Sequence, residues 1–80
     1  MSKYILSIDQ GTTSSRIILY NTKFKVIDSL QKQLKQYFPK NGWVEHDALG
    51  IWRDVKLLIS KIIKKNHIKY SQILSIGIAN

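Results

Sequence analysis

The sequence predicts an α/β fold of order β-β-β-α-β, and three observations lead there. Short apolar runs separated by two tight connections open the chain, a longer stretch with apolar residues at helical spacing follows, and a last apolar run, "ILSIGIA", closes it. The two early connections are too short to hold a crossover, so the first three strands form an antiparallel meander. The helical stretch then supplies the crossover through which a fourth strand is reached.

Tyr4 to Ile8 is the first strand, a nearly continuous apolar run suited to burial on both faces. Arg16 to Tyr20 is the second. "NTKFK" (21–25) is a hairpin turn in which Asn21 tolerates a left-handed conformation. Val26 to Leu34 alternates more loosely, as a long strand near an edge does. Pro39, Asn41 and Gly42 break "KQYFPKNGWVEHD" into a loop, and Asp47 is a good N-cap. Beyond it Ile51, Val55, Leu58, Ile59, Ile62 and Ile63 share one helical face, while Arg53, Asp54, Lys56, Lys61 and Lys64 face away. The helix ends near Asn66, with lysines where its dipole favours cations. "HIKYSQ" leads to the last strand, residues 73–79.

Eighty residues make one small domain of modest burial. The absence of cysteine excludes a disulfide framework and a cysteine metal site, and suits a reducing, cytoplasmic setting. There is no membrane-spanning run, and an acid and a turn interrupt the N-terminal apolar stretch too early for a signal peptide. Thirteen Lys and Arg stand against five Asp and Glu. That balance raises a basic nucleic-acid-binding module as an alternative from another class. Eleven of those cations are scattered lysines, the pattern of a solvated surface, and they argue against a nucleic-acid partner.

The stretch "IDQGTTSSRI" carries the candidate chemistry. Asp9 lies at the carboxyl end of a buried strand, where α/β folds place ligands. Gly11 lets the backbone come close to a bound group, and Thr12, Thr13, Ser14 and Ser15 add donors that suit phosphate oxygens. Arg16 offers a guanidinium fork. The Asp9 charge fits beside phosphates when Mg²⁺, held through water, sits between them. Two readings stay open on these residues alone: a clamp for a nucleotide triphosphate, or a polar hairpin whose side chains satisfy its own backbone.

Three ordered segments resemble the carbohydrate kinases of the actin, hexokinase and heat-shock-70 ATPase superfamily, most closely in their glycerol kinase form. They are "YILSIDQGTTSSRIILYN", "YFPKNGWVEHDALGIW", which is similar to "FPQPGWVEHDPxEIW", and "SQILSIGIAN", which is similar to "DQIAAIGITNQRE". Together they cover residues 4 to 80. Ala48 departs from the usual proline, and Ala79 from a threonine.

The resemblance implies an α/β fold that is the N-terminal part of a ribonuclease H-like ATPase domain. Residues 1–80 would be the N-terminal segment of the first carbohydrate-kinase domain, truncated after the fourth strand, just before a Gln-Arg-Glu that grips the polyol. It implies ATP-dependent phosphorylation of glycerol to glycerol 3-phosphate, with ATP/ADP and Mg²⁺ as cofactors. Asp9 would position Mg²⁺ through water. Gly11, Thr12, Thr13 and Ser14 would bind the nucleotide phosphates, Thr12 would also lie near the product phosphate, and Arg16 would contact ADP. Another sugar or polyol kinase of the family would share Asp9, Gly11 and Thr12 but depart from "GWVEHD".

The remaining candidates read as structural. His46 and Asp47 suit capping, His67 a helix C-terminus, and Trp43 and Trp52 packing between loop, helix and sheet. One helix covers one face of a four-stranded sheet. The last strand, with Ile73, Leu74, Ile76 and Ile78, is written for burial on both faces, so the other sheet face is expected to stay largely bare, leaving a chain that is aggregation-prone, a homo-oligomer through that face, or only partly folded.

Overall fold

A computed structural model describes residues 2–11, 14–33 and 48–79. The Leu34 end of the third strand, the proline loop with Trp43 and His46, and the Asp47 cap lie outside them, as do Thr12 and Thr13. The elements are β1 (Tyr4–Gln10), β2 (Ser14–Asn21), β3 (Val26–Gln33), α1 (Ala48–Lys65), a short 3₁₀ turn (Tyr70–Gln72) and β4 (Ile73–Ala79). The sheet order is β3-β2-β1-β4, with β4 parallel to β1 and the other pairs antiparallel. The fold is thus the expected one, with β1 and β2 both extending further towards the glycine turn.

Register explains the core. Leu6 opposes Leu19 and Ile8 opposes Ile17, so four apolar side chains share one sheet face. Val55, Leu58, Ile62 and Ile63 of α1 close over that face, and Leu6, Ile17, Leu19 and Ile62 are wholly buried. The opposite face carries Ile5, Ser7, Asp9, Arg16, Ile18 and Tyr20.

Two ion pairs tie α1 to the β3 side of the sheet: Lys32 to Asp54 at 2.7 Å and Lys65 to Asp28 at 3.2 Å. Asp54 therefore does not face away, because the seam between helix and sheet offers it a cation. With α1 drawn over β2 and β3, β4 is left uncovered. Ile76 and Ile78 pair with Leu6 and Ile8, so they lie on the helix side, yet they are 51% and 73% exposed. The bare apolar surface is consequently not the face away from the helix, whose Ile5, Ile18 and Tyr20 are half-buried. It lies along β4 and in a groove of about 560 Å³ lined by Leu6, Ile59, Ile63, Tyr70, Ile73 and Ile76.

Three local features differ from expectation. In the β2–β3 hairpin the left-handed residue is Phe24 (φ 61°), not Asn21. Asn21 Oδ1 instead accepts hydrogen bonds from the N–H groups of Lys23 (2.9 Å) and Lys25 (3.0 Å), which fixes the turn. Trp52 is 54% exposed rather than packed, with Lys56 Nζ 5.9 Å from its ring centroid, because its position falls outside the helix's buried stripe. Helix α1 ends in a Schellman arrangement: Ile68 N–H donates to Ile63 O and His67 N–H to Lys64 O, with His67 left-handed at φ 55°. His67 is thus the exposed residue that ends the helix.

Candidate functional site

The site is built at the carboxyl end of β1 and the start of β2. Asp9 and Arg16 are direct cross-strand partners on the sheet face away from α1, a geometry that brings facing side chains within reach. Arg16 Nη2 donates to Asp9 Oδ2 at 3.1 Å, and the two side chains are 47% and 41% exposed. Water screens such a pair, so it organises the surface more than it stabilises the fold. Both groups stay open to a ligand.

The side-chain alternation of β2 sorts the hydroxyls. Ser14 shares the Arg16 face, and its Oγ accepts a hydrogen bond from Gln31 Nε2 at 2.9 Å. Ser15 points the other way, wholly buried, and donates to Gln10 Oε1 at 2.8 Å. Ser15 is therefore a structural hydroxyl and not a phosphate donor. Gln31, opposite Arg16 on β3, joins the site although no motif in the sequence marks it. Its signal was the alternation of β3, which puts residue 31 in register with Arg16. Gly11 is exposed, and its N–H donates to Ser14 O at 2.9 Å, closing the turn. A Cβ there would stand 3.4 Å from that same carbonyl, so the position is tight but not strained.

Asp9, Arg16, Ser14 and Gln31 thus form one polar patch beside the Gly11 turn. The structure brings Asp9, Gly11, Ser14 and Arg16 together as anticipated. A single half-exposed carboxylate, with Oδ2 held by Arg16 and Oδ1 as its second acceptor, suits a divalent cation taken through water and shared with a ligand's oxygens. It does not suit a cage made by protein alone, and among the described residues no cluster of three His, Cys, Asp or Glu exists. The residues present fit a water-mediated Mg²⁺. On the other strand pair, Asp9 is level with Ala79, so the end of β4 opens onto the same patch.

A second carboxylate shows how different a structural acid looks. Asp28 accepts from Asn66 Nδ2 at 2.9 Å and from Lys65, and these donors, the Asn66 amide first, hold its carboxyl below the ordinary value of 3.8 against the opposing effect of burial. Its side-chain partners, Asn66 and Lys65, both fasten the end of α1, and the Ser29 N–H donates to it from within β3 at 2.8 Å.

Comparison with known proteins bears on the family and the fold. Residues 4–80 match the N-terminal domain of the FGGY family of carbohydrate kinases. Plasmodium falciparum glycerol kinase, solved with ADP, superposes with a TM-score of 0.82 at 33% identity, over 99% of this chain and 16% of that one. Gluconate kinase from Lactobacillus acidophilus gives 0.86 at 29%, over 99% and 15%. Ligand-bound xylulose kinase from the same organism gives 0.84 at 30%, over 96% and 15%. The chain spans about a sixth of the length of these solved relatives. With the family match running over residues 4–80 and the fold superposing on these kinases, the chain belongs to the FGGY family of carbohydrate kinases.

Proposed function

We propose that this chain supplies the first phosphate-binding hairpin of an ATP-dependent kinase that converts glycerol to glycerol 3-phosphate, as the N-terminal segment of its first domain. The observation that carries the reading is the Asp9–Arg16 pair beside the Gly11 turn, held at a strand end and open to solvent. Arg16 exchanges Asp9 for a phosphate oxygen of the nucleotide, an equally charge-assisted partner. Asp9, released, would hold Mg²⁺ through water. Thr12, Thr13 and Ser14 donate to phosphate oxygens, and Thr12 stays beside the product phosphate. Mg²⁺, when bound, neutralises charge on the transferring phosphoryl group. In the transfer the glycerol oxygen bonds to the γ-phosphorus, the bond to the β-bridging oxygen breaks, and the hydroxyl proton passes to a carboxylate base. By family resemblance that base lies outside these residues.

Glycerol as substrate is supported by "DQGTTSSR" and "GWVEHD" taken together. A different polyol or sugar is favoured by the gluconate and xylulose kinases, which superpose as well as the glycerol kinase does. Chimeras separate the two readings. Residues 1–80 are fused in place of the matching segment of each of the three solved relatives, and turnover is measured with each host's own substrate. Glycerol specificity predicts the highest retained activity in the glycerol kinase host. Higher retention in either other host would move the assignment to that substrate class while leaving the family intact.

A further inference from the structure

The opposite end of the sheet carries a feature that neither the kinase reading nor the core explains. The β2–β3 hairpin closes with Phe24 in the left-handed region, where a bulky side chain costs energy that glycine would not. Phe24 gains no burial in return, being 72% exposed, and Val26 and Ile27 next to it are 56% and 45% exposed. A strained, solvent-facing aromatic at a turn that does not need it is an observation from which function is inferred.

The surroundings say what it faces. Tyr4 is level with Asn21 and with Ile73, and Asp28 holds Lys65 and Asn66, so the hairpin, the chain's start, the end of α1 and the approach to β4 gather at one end of the molecule. Lys3, Lys23, Lys25, Lys64, Lys65 and Lys69 are all exposed there. The acid on these elements is Asp28, already paired with Lys65. Asp9 and Asp54 lie towards the other end, paired with Arg16 and Lys32. An apolar tip flanked by lysines, with no arginine among them, matches an anionic lipid surface. Phe24 and its aliphatic neighbours enter the headgroup boundary, and the lysine ammonium groups meet lipid phosphates. Single-stranded nucleic acid would favour several stacking planes beside guanidinium forks, whereas at the hairpin tip the ring of Phe24 has exposed Val26 and Ile27 beside it and the surrounding cations are all lysine.

We propose that the β2–β3 hairpin tip, Phe24 with Lys23 and Lys25, is a docking point for anionic membrane surfaces, at the end of the sheet away from the phosphate site. Such docking leaves Asp9 and Arg16 facing away from the lipid.

The test is sedimentation of the chain with vesicles of phosphatidylcholine alone and of phosphatidylcholine and phosphatidylglycerol in equal parts, corrected for any pellet formed without lipid. Binding is expected to the anionic vesicles only. Phe24→Gly should weaken it about tenfold or more, because the ring's burial is lost. The same variant should raise the thermal midpoint, since glycine relieves the left-handed position, and so a misfolded variant cannot mimic the result. Lys23→Gln with Lys25→Gln should weaken binding by about thirtyfold at low salt. Equal binding to both vesicle types, unchanged binding of Phe24→Gly, or binding to a single-stranded RNA oligomer without binding to vesicles would each overturn the proposal.

Discussion

Asp9 and Arg16 face each other across β1 and β2 because the register pairs Ile8 with Ile17 one step earlier, so core packing sets the spacing of the site's two charges. A polar pair placed by an apolar register tolerates changes of chemistry without loss of fold. Asp9→Ala in the glycerol kinase chimera should therefore lower kcat at least a hundredfold, the scale of losing one electrostatic group in a phosphoryl-transfer site, with little change in thermal midpoint. Arg16→Ala should chiefly raise the KM for ATP, and an unchanged nucleotide KM would count against its contact. Ser15 offers the contrast. Its hydroxyl is wholly buried against Gln10, so Ser15→Ala should cost about 1 kcal/mol of stability and leave nucleotide affinity alone, as urea unfolding and ATP titration would report. The four consecutive hydroxyls were legible in the sequence as a donor-rich turn. Which of them turned inward was not, since that depends on where β2 begins, and the strand starts at Ser14 rather than Arg16.

At the scale of the elements, α1 and the strands were legible because their patterns agree with propensity. Val55, Leu58, Ile62 and Ile63 fall on one stripe, and the wholly buried Ile62 sits at its centre. The lateral placement of α1 was not legible. It is marked by Lys32–Asp54 and by the Asp28 cluster, contacts between residues far apart in sequence whose partners periodicity cannot name. The hairpin's left-handed site was missed for a similar reason: Asn21 is the better left-handed residue, but its side chain is used to accept two backbone N–H groups, which moves the positive φ to Phe24.

Asp28 gives α1 a pH-dependent attachment. Its folded carboxyl titrates below its unfolded value, so the stabilisation is complete above the ordinary 3.8 and is lost as pH falls through the lower folded value. Thermal midpoints should drop in that acid window for the parent chain. In Asp28→Asn the fall should be shallower, and an identical acid limb in the two proteins would contradict the account.

For the whole molecule, the governing fact is a helix that covers three strands' worth of sheet and leaves the fourth uncovered. Ile76 and Ile78 stand exposed on an edge strand, a template for pairing with another chain. The isolated chain should associate at micromolar concentration, and Ile78→Lys should shift it towards monomer in analytical ultracentrifugation. A strictly monomeric parent with a cooperative thermal transition would refute this. The openness of the sheet bears on activity as well. Phosphoryl transfer depends on positioning and on exclusion of water, and the chain spans about a sixth of its solved relatives. Its Asp9–Arg16 pair lies open, so alone the chain should bind Mg-ATP weakly and release no ADP with glycerol.

The most direct test of the phosphate-hairpin assignment is coupled detection of ADP from the glycerol kinase chimera, with and without Asp9→Ala. The account predicts glycerol-dependent ADP release that collapses in the variant while its KM for glycerol changes little. Near-normal turnover in Asp9→Ala would contradict it.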